Sequence, residues 1–154
     1  MENTTDRIQM CYEYMKELDQ FRAKPVQNES RLRMLSLGLY EESIIKNQWL
    51  RITSGSEEVG FLVINPSVSY VDIQFEHCYV RPEFRRQGLS RHVHDAFIAG
   101  YGFPAVYASV LFDQNAGEKA FIDQLIVLHG GCYISDPIPT RHPELWLYRF
   151  LLTR

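Results

Sequence analysis

A chain of 154 residues, 45% hydrophobic and 23% charged, has the size and balance of one globular domain that can bury a single core without covalent staples. It contains no run of 18 apolar residues, and residues 1–10 (MENTTDRIQM) lack the pattern of a signal peptide, so neither a membrane span nor export is implied and a cytoplasmic protein is expected. A net charge of −3 argues against broad affinity for nucleic acid, although Arg81, Arg85, Arg86 and Arg91 form a local basic cluster better matched to one small polyanion than to a duplex backbone.

The first 47 residues read as helical. Ile8, Cys11, Met15 and Leu18 fall on one face after a start at Thr5 and Asp6, and Pro25 separates them from a second helix carrying Leu32, Leu35, Leu39 and Ile44. Strands follow at 49–53 and 59–64, joined by Ser54-Gly55-Ser56 and closed by Asn65-Pro66, which reads as a hairpin. A strand at 70–80, rich in β-branched and aromatic residues, stops at Pro82, which has no N–H to pair. Leu89, Val93, Ala96, Phe97 and Gly100 then recur at helical spacing over 89–100, and the Gly-Tyr-Gly-Phe-Pro run at 100–104 breaks that helix. An apolar strand at 105–111 leads through a cap at 113–115 into a helix over 116–128, ended by His129-Gly130-Gly131.

Two short strands, 132–134 and 145–151, finish the chain on either side of a loop containing Pro137, Pro139 and Pro143. The last strand is apolar on both faces and reads as either a central strand or the edge of a homodimer. Hairpins demand antiparallel neighbours and β-α-β crossovers demand parallel ones, so the order gives a single α/β domain over 1–154 with a mixed sheet. Cys11, Cys78 and Cys132 are odd in number, lack metal-type spacing and sit among apolar residues. They read as buried small hydrophobes in a reducing compartment, and no metal site is expected.

The most pointed stretch runs over 79–90, Tyr-Val-Arg-Pro-Glu-Phe-Arg-Arg-Gln-Gly-Leu-Ser, from the end of a strand straight into an amphipathic helix. The backbone amides of residues 86–91 would stand at that helix's N-terminus, where unpaired N–H groups and the positive end of the dipole favour a pyrophosphate. Gly88 lets the backbone approach such a ligand closely, while Arg85 and Arg86 add mobile positive charge.

This stretch resembles the acyl-CoA-binding motif of the GNAT superfamily of N-acetyltransferases, which reads Gln/Arg-x-x-Gly-x-Gly/Ala between a strand and a helix. Arg85, Gly88 and Ser90 stand in the defining places, with Ser90 one small residue in place of another, and the Tyr-Val-x-Pro-x-Phe-Arg run at 79–85 is also typical of that family. The resemblance covers 48–154 well and 1–47 by helix count alone, since the first strand of the usual family pattern is not evident. It implies a mixed, mostly antiparallel central sheet with helices on both faces. It also implies acetyl-CoA or a related acyl-CoA as co-substrate, without a metal, held by Tyr79, Val80, Arg85, Arg86, Gln87, Gly88, Leu89, Ser90 and Arg91, and an amine acceptor on a small molecule or a protein. Asn115 fits the Asn that in many relatives opens the next helix and approaches the pantetheine or caps the helix.

Acyl transfer to an amine needs a neutral nucleophile, yet an unperturbed lysine, with a pKa of about 10.4, is nearly all charged at neutral pH. A base must therefore take a proton, directly or through water. The family spacing brings Gln74 and Glu76 to the positions that carry such groups, two residues apart and so on one strand face, and Glu76 is the preferred base. His77 and Asp72 are alternatives. A regular strand turns His77 away from Glu76, whereas a β-bulge would exchange those assignments. The tyrosine that protonates the leaving thiolate in many relatives is Ile122 here, beside Phe121, and Tyr133 or Tyr107 could substitute. Backbone N–H of Tyr79 or Val80 would hold the oxyanion if the strand splays from its neighbour. His92 and His94 read as surface residues, His129 as a helix C-terminal partner, and Arg141 and His142 as a possible border of an acceptor groove. A GNAT-fold module that binds acyl-CoA or a protein without efficient transfer is the other reading.

Overall fold

The computed structural model describes residues 4–46, 48–112, 116–141 and 143–154. Helix α1 (Thr4–Asp19) turns Met10, Cys11, Tyr14 and Met15 inward, positions recurring at one and four residues as a 3.6-residue period requires. Helix α2 (Glu29–Ile45) starts at Asn28, whose side chain accepts the Arg31 N–H as an N-cap, and buries Leu32, Ser36, Tyr40 and Ser43. The buried Ser36 hydroxyl is satisfied by the Leu32 carbonyl one turn back, at 2.7 Å. Together these faces cover Phe61, Val63 and Tyr79 on one side of the sheet.

The sheet begins with the hairpin of β1 (Trp49–Ser54) and β2 (Glu57–Asn65), continues antiparallel into β3 (Ile73–Val80), and reaches β4 (Ala105–Phe112) through α3 (Leu89–Tyr101). Helix α4 (Ala116–His129) follows, then β5 (Cys132–Tyr133), β6 (Ile138–Pro139) and β7 (Leu145–Leu152). The spatial order is β1-β2-β3-β4-β7-β5, with β6 also on β7, and only β3 and β4 run parallel. Helices α3 and α4 pack on the face opposite α1 and α2, where Ile98, Ile122 and Leu125 meet Leu62, Phe75, Tyr107, Phe150 and Leu152. The expected mixed, mostly antiparallel sheet with helices on both faces is therefore present.

Three local expectations change, and the alternative left open for the last strand is decided in favour of a central strand. The proline loop contributes β6 to the sheet. Strand β7 is internal, with β4 along one edge and β5 and β6 along the other, so it offers no open edge for a homodimer. Cys132 is exposed rather than buried, because β5 is a two-residue edge strand, and Cys78 is half-buried. In α3 the inward face is rotated by roughly one residue from the apolar stripe. Ile98 is its fully buried residue and Ala96 and Gly100 are exposed, while Ser90 and His94 face inward onto a cleft instead of a dry core.

Candidate active site

The parallel ladder between β3 and β4 consists of Ile73–Tyr107, Gln74–Ala108 and Phe75–Ser109 and then stops. Beyond it β3 stays with β2 as far as Val80, and β4 stays with β7 as far as Phe112. The two strands part into a wedge holding a cavity of about 1050 Å³, walled by β3, β4, the first turns of α3 and α4, and the later half of α1. The edge of β3 that faces the wedge is identifiable. The Arg81 N–H donates to Val59 on β2, and the Tyr79 carbonyl abuts Gly60, so these two residues spend their backbone groups on β2. Val80 presents its carbonyl to the other edge, where the Arg85 Nε–H donates to it at 2.8 Å. Because N–H and C=O of one strand residue point the same way, the Val80 N–H faces the wedge, and by alternation so does that of Cys78. Of the two amides expected to meet an oxyanion, Val80 has the required direction and Tyr79 does not.

At the end of β3 the chain makes one 3-10 turn, Pro82–Phe84, and enters the phosphate-type loop. Arg86 and Gly88 both take the left-handed conformation, φ 66° and 74°. For Arg86 this costs about 1–2 kcal/mol, the kind of local strain that clusters at binding turns. The first helical bond of α3 runs from the His92 N–H to the Gly88 carbonyl, and Gly88 has no side chain to cap with, so the amides of Leu89, Ser90 and Arg91 are open. That is a fit for an anion. The arginines divide unevenly. Arg81 is held by Asp6 at 2.8 Å and Glu13 at 3.2 Å, and Arg85 by Glu17 at 2.6 Å while it lies over the Tyr79 ring. Arg85 is thus a tether between the loop and α1 instead of the mobile charge expected. Arg86 and Arg91 are exposed, with Arg91 resting on Phe121, and Gln87 is exposed beside them.

The β2–β3 register jumps from Val63–His77 to Ile64–Phe75, leaving Glu76 as the extra residue of a bulge. The bulge brings Glu76 and His77 to the α1 face together, in place of the opposite directions of a regular strand. Glu76 is half-buried, lines the wedge and accepts the Asn65 amide N–H at 2.8 Å. His77 Nδ1 lies 2.7 Å from the Tyr14 hydroxyl, and burial lowers its pKa from 6.5 to about 4. Tyr14 itself is pushed well above its ordinary range by burial. Gln74 pairs with the Tyr70 hydroxyl, and Asp72 accepts the Val106 N–H, which takes both away from the wedge.

Tyr133 stands outside the wedge, donating its hydroxyl to Asp123 on α4, so it lacks the position a thiolate's acid needs. Tyr107 is fully buried, stacked on Phe75, with its hydroxyl unpartnered among the described residues. Ile122 is buried in the wedge wall. His94, expected at the surface, packs edge-on against Phe75 and Phe121 and sits 2.7 Å from the Ser90 carbonyl, with its pKa lowered by burial. His129 stacks on Phe103 and bonds the Arg154 carbonyl, a structural role. Arg141 is exposed, and Asn115 and His142 lie outside the described residues.

Sequence reasoning missed three titratable residues of the wedge. Tyr14, Glu17 and Glu118 reach it from α1 and α4, and no local pattern marks them. Glu118 is open to solvent at the cleft mouth, yet the protein mass around it raises its carboxyl pKa. The loop after α1 also meets the loop before β7, where the Ala23 N–H donates to the Glu144 carboxylate. No cluster of His, Cys, Asp or Glu suited to a metal occurs among the described residues, and none of their helices is long and apolar enough to cross a membrane.

No family profile and none of the curated proteins matches the sequence. Solved structures do. A GNAT-family acetyltransferase from Bacillus cereus aligns over 100% of this chain and 95% of its own with 14% identity and a TM-score of 0.60. A second from Streptococcus agalactiae covers 100% and 93% at 12% identity and 0.65. An acetyltransferase from Thermus thermophilus covers 96% and 92% at 18% identity and 0.62. The chain has the fold of the GNAT acetyltransferases over its whole described length.

Proposed function

We propose that this chain, built on the GNAT fold, is a cytoplasmic N-acyltransferase that moves an acetyl or other acyl group from acyl-CoA to an amine by direct attack. The observation that carries the reading is the continuity of one cleft, from the open amides of Leu89–Arg91 through the parted β3 and β4 to Glu76. The CoA pyrophosphate would lie on the Gly88 turn with Arg86 and Arg91 beside it, where amide donors and the helix dipole act together. The pantetheine arm would enter the wedge and complete the sheet edge that Cys78 and Val80 leave unpaired. The Val80 N–H would then meet the thioester oxygen as negative charge develops on it.

The acceptor would arrive from the α1 side, where Glu76 takes a proton from the ammonium and frees the nitrogen lone pair. The thiol of CoA, with a pKa of about 8.5, is a tolerable leaving group. The position of Tyr133 outside the cleft favours one alternative, a module that binds acyl-CoA without efficient transfer. Assay of acetyl-CoA with a panel of amines separates the two. The transferase reading requires turnover that Glu76→Gln lowers by about 10²-fold or more, with acetyl-CoA binding retained. Binding without turnover by the unaltered chain leaves the module, and no binding at millimolar acetyl-CoA rejects both.

A further inference from the structure

We propose that Tyr14 and His77 form the proton relay of this cleft, with Tyr14 protonating the departing thiolate; this rests on the acyl-CoA reading above. Aminolysis of a thioester needs two proton movements on the acceptor nitrogen. The first, from the ammonium, belongs to Glu76. The second follows attack: the new N–C bond leaves the nitrogen positive, and the breaking C–S bond leaves its electron pair on sulfur. One proton must travel from nitrogen to sulfur, and the cleft is walled mainly by apolar and aromatic side chains in which a bare thiolate is poorly solvated.

The described hydroxyl and thiol groups around the wedge are not equivalent. Tyr79 donates its hydroxyl to Glu13 on the flank of α1, the Cys78 thiol and Ser90 hydroxyl face each other at 3.2 Å, and Ser109 lines the wedge from β4; among the described residues the side chains of Cys78, Ser90 and Ser109 have no bonded imidazole to restore a lost proton. Tyr14 differs. Its oxygen is 2.7 Å from Nδ1 of His77, a ring that passes a proton from one nitrogen to the other side. In the Nδ1–H tautomer His77 donates to the Tyr14 oxygen, leaving the phenolic hydrogen for the cleft. The balance then closes without any external proton. Sulfur takes the Tyr14 proton, the phenolate oxygen takes the Nδ1 proton, and Nε2 takes the one lost by nitrogen. The ring ends neutral in the other tautomer.

The packing fits a fixed relay. Tyr14 is wedged edge-on between Phe61, His77 and Tyr79, with ring centroids 5.4–5.9 Å away. The bulge at Glu76 delivers base and relay to one face as adjacent residues. Burial holds the imidazole neutral, the state in which it can both give and receive.

The test compares two donors with hydroxylamine as a small acceptor: acetyl-CoA, and an acetyl thioester of a nitro-substituted aryl thiol, whose leaving group needs no proton. Tyr14→Phe is expected to lower kcat with acetyl-CoA by about 10²-fold while KM for acetyl-CoA stays within about twofold, and to cost about twofold or less with the aryl thioester. His77→Gln should show the same donor dependence and carries the comparison should Tyr14→Phe fold poorly. Equal losses on both donors would mean a structural role and overturn the relay, as would unchanged kcat in either variant. An unaltered chain that turns over neither donor, with hydroxylamine or with any amine of the panel above, would instead overturn the transferase reading, and the relay with it.

Discussion

Replacing Gly88 by alanine isolates the backbone of the phosphate turn from its packing. A Cβ at Gly88 meets nothing within 4 Å, so no clash contributes, and the cost is that of holding a non-glycine residue at φ 74°. That is about 1–2 kcal/mol, offset by about 0.4–1 kcal/mol because alanine also restricts the unfolded chain, leaving a net loss of about 1 kcal/mol. In a domain of this size 1 kcal/mol moves Tm by about 2–4 °C. Gly131→Ala supplies the contrast, because its Cβ would lie 1.7 Å from the Leu151 carbonyl oxygen and 3.2 Å from the Leu152 Cα, backbone atoms of β7. Separating β5 from β7 should cost about 3 kcal/mol or more and lower Tm by about 6–12 °C. Both variants are scanned with and without acetyl-CoA, which at 100 times its dissociation constant adds about 2.7 kcal/mol. On the proposed reading the phosphate lies against the open Gly88 turn, where an alanine methyl would intrude, so that variant should lose most of the ligand-induced shift, whereas Gly131→Ala keeps it. A full shift in Gly88→Ala would refute the assignment of the turn as the phosphate site, and a Tm loss matching that of Gly131→Ala would refute its open packing.

Three further outcomes follow from the same geometry. Arg81→Ala removes the bonds that pin α1 to the end of β3 through Asp6 and Glu13. Charged hydrogen bonds of this kind contribute about 1.5–3 kcal/mol, so the urea midpoint should fall accordingly, and amide exchange should speed up in α1 before the sheet. Tyr107→Phe deletes a buried hydroxyl with no partner among the described residues, so it should leave stability unchanged or raise it by about 1 kcal/mol and leave turnover intact; a loss would reveal a hidden partner. His77 has a folded pKa lowered from 6.5 to about 4, so the unfolded chain binds the extra proton in that window. Its contribution is fully present above pH 6.5 and drains away as pH falls toward 4, by about 3 kcal/mol over the 2.5-unit gap. His77→Gln should flatten that part of a stability-against-pH curve, and an unchanged slope would place the titration elsewhere.

The elements and the phosphate turn were legible because their signals are local. Pro82 ends a strand, Gly88 supplies a left-handed residue, and a helical repeat begins at once. What the sequence concealed depends on partners far along the chain. The Arg85–Glu17 pair spans 68 residues and converts a loop arginine into a tether. The α3 face was misjudged because Ser90 and His94 turn inward to line a cleft, which an apolar period does not register. The bulge is set by how β2 pairs, and it alone decides that His77 joins Glu76; the strand's own residues allowed either outcome. Tyr14 enters from a helix 63 residues before its histidine, with nothing nearby to single it out among neighbouring tyrosines.

The short ladder between β3 and β4 also makes their seam the thinnest line of backbone pairing across the middle of the sheet. Residues before it pair as one antiparallel set, β1-β2-β3, and residues after it as another around β7; between the two sets the described backbone pairs over the three rows of the ladder and at Asp72 and Val106, and the shared core of Phe75, Tyr107, Ile98 and Phe150 joins them on one face. Parallel pairing across a crossover is among the last contacts a chain can close, since it must wait for the loop to be spanned. The wedge proposed for acyl-CoA is therefore also the seam across the middle of the sheet with the fewest rows of backbone pairing, and a ligand lying across it with backbone-like donors and acceptors would add the missing rows and stabilise the folded chain.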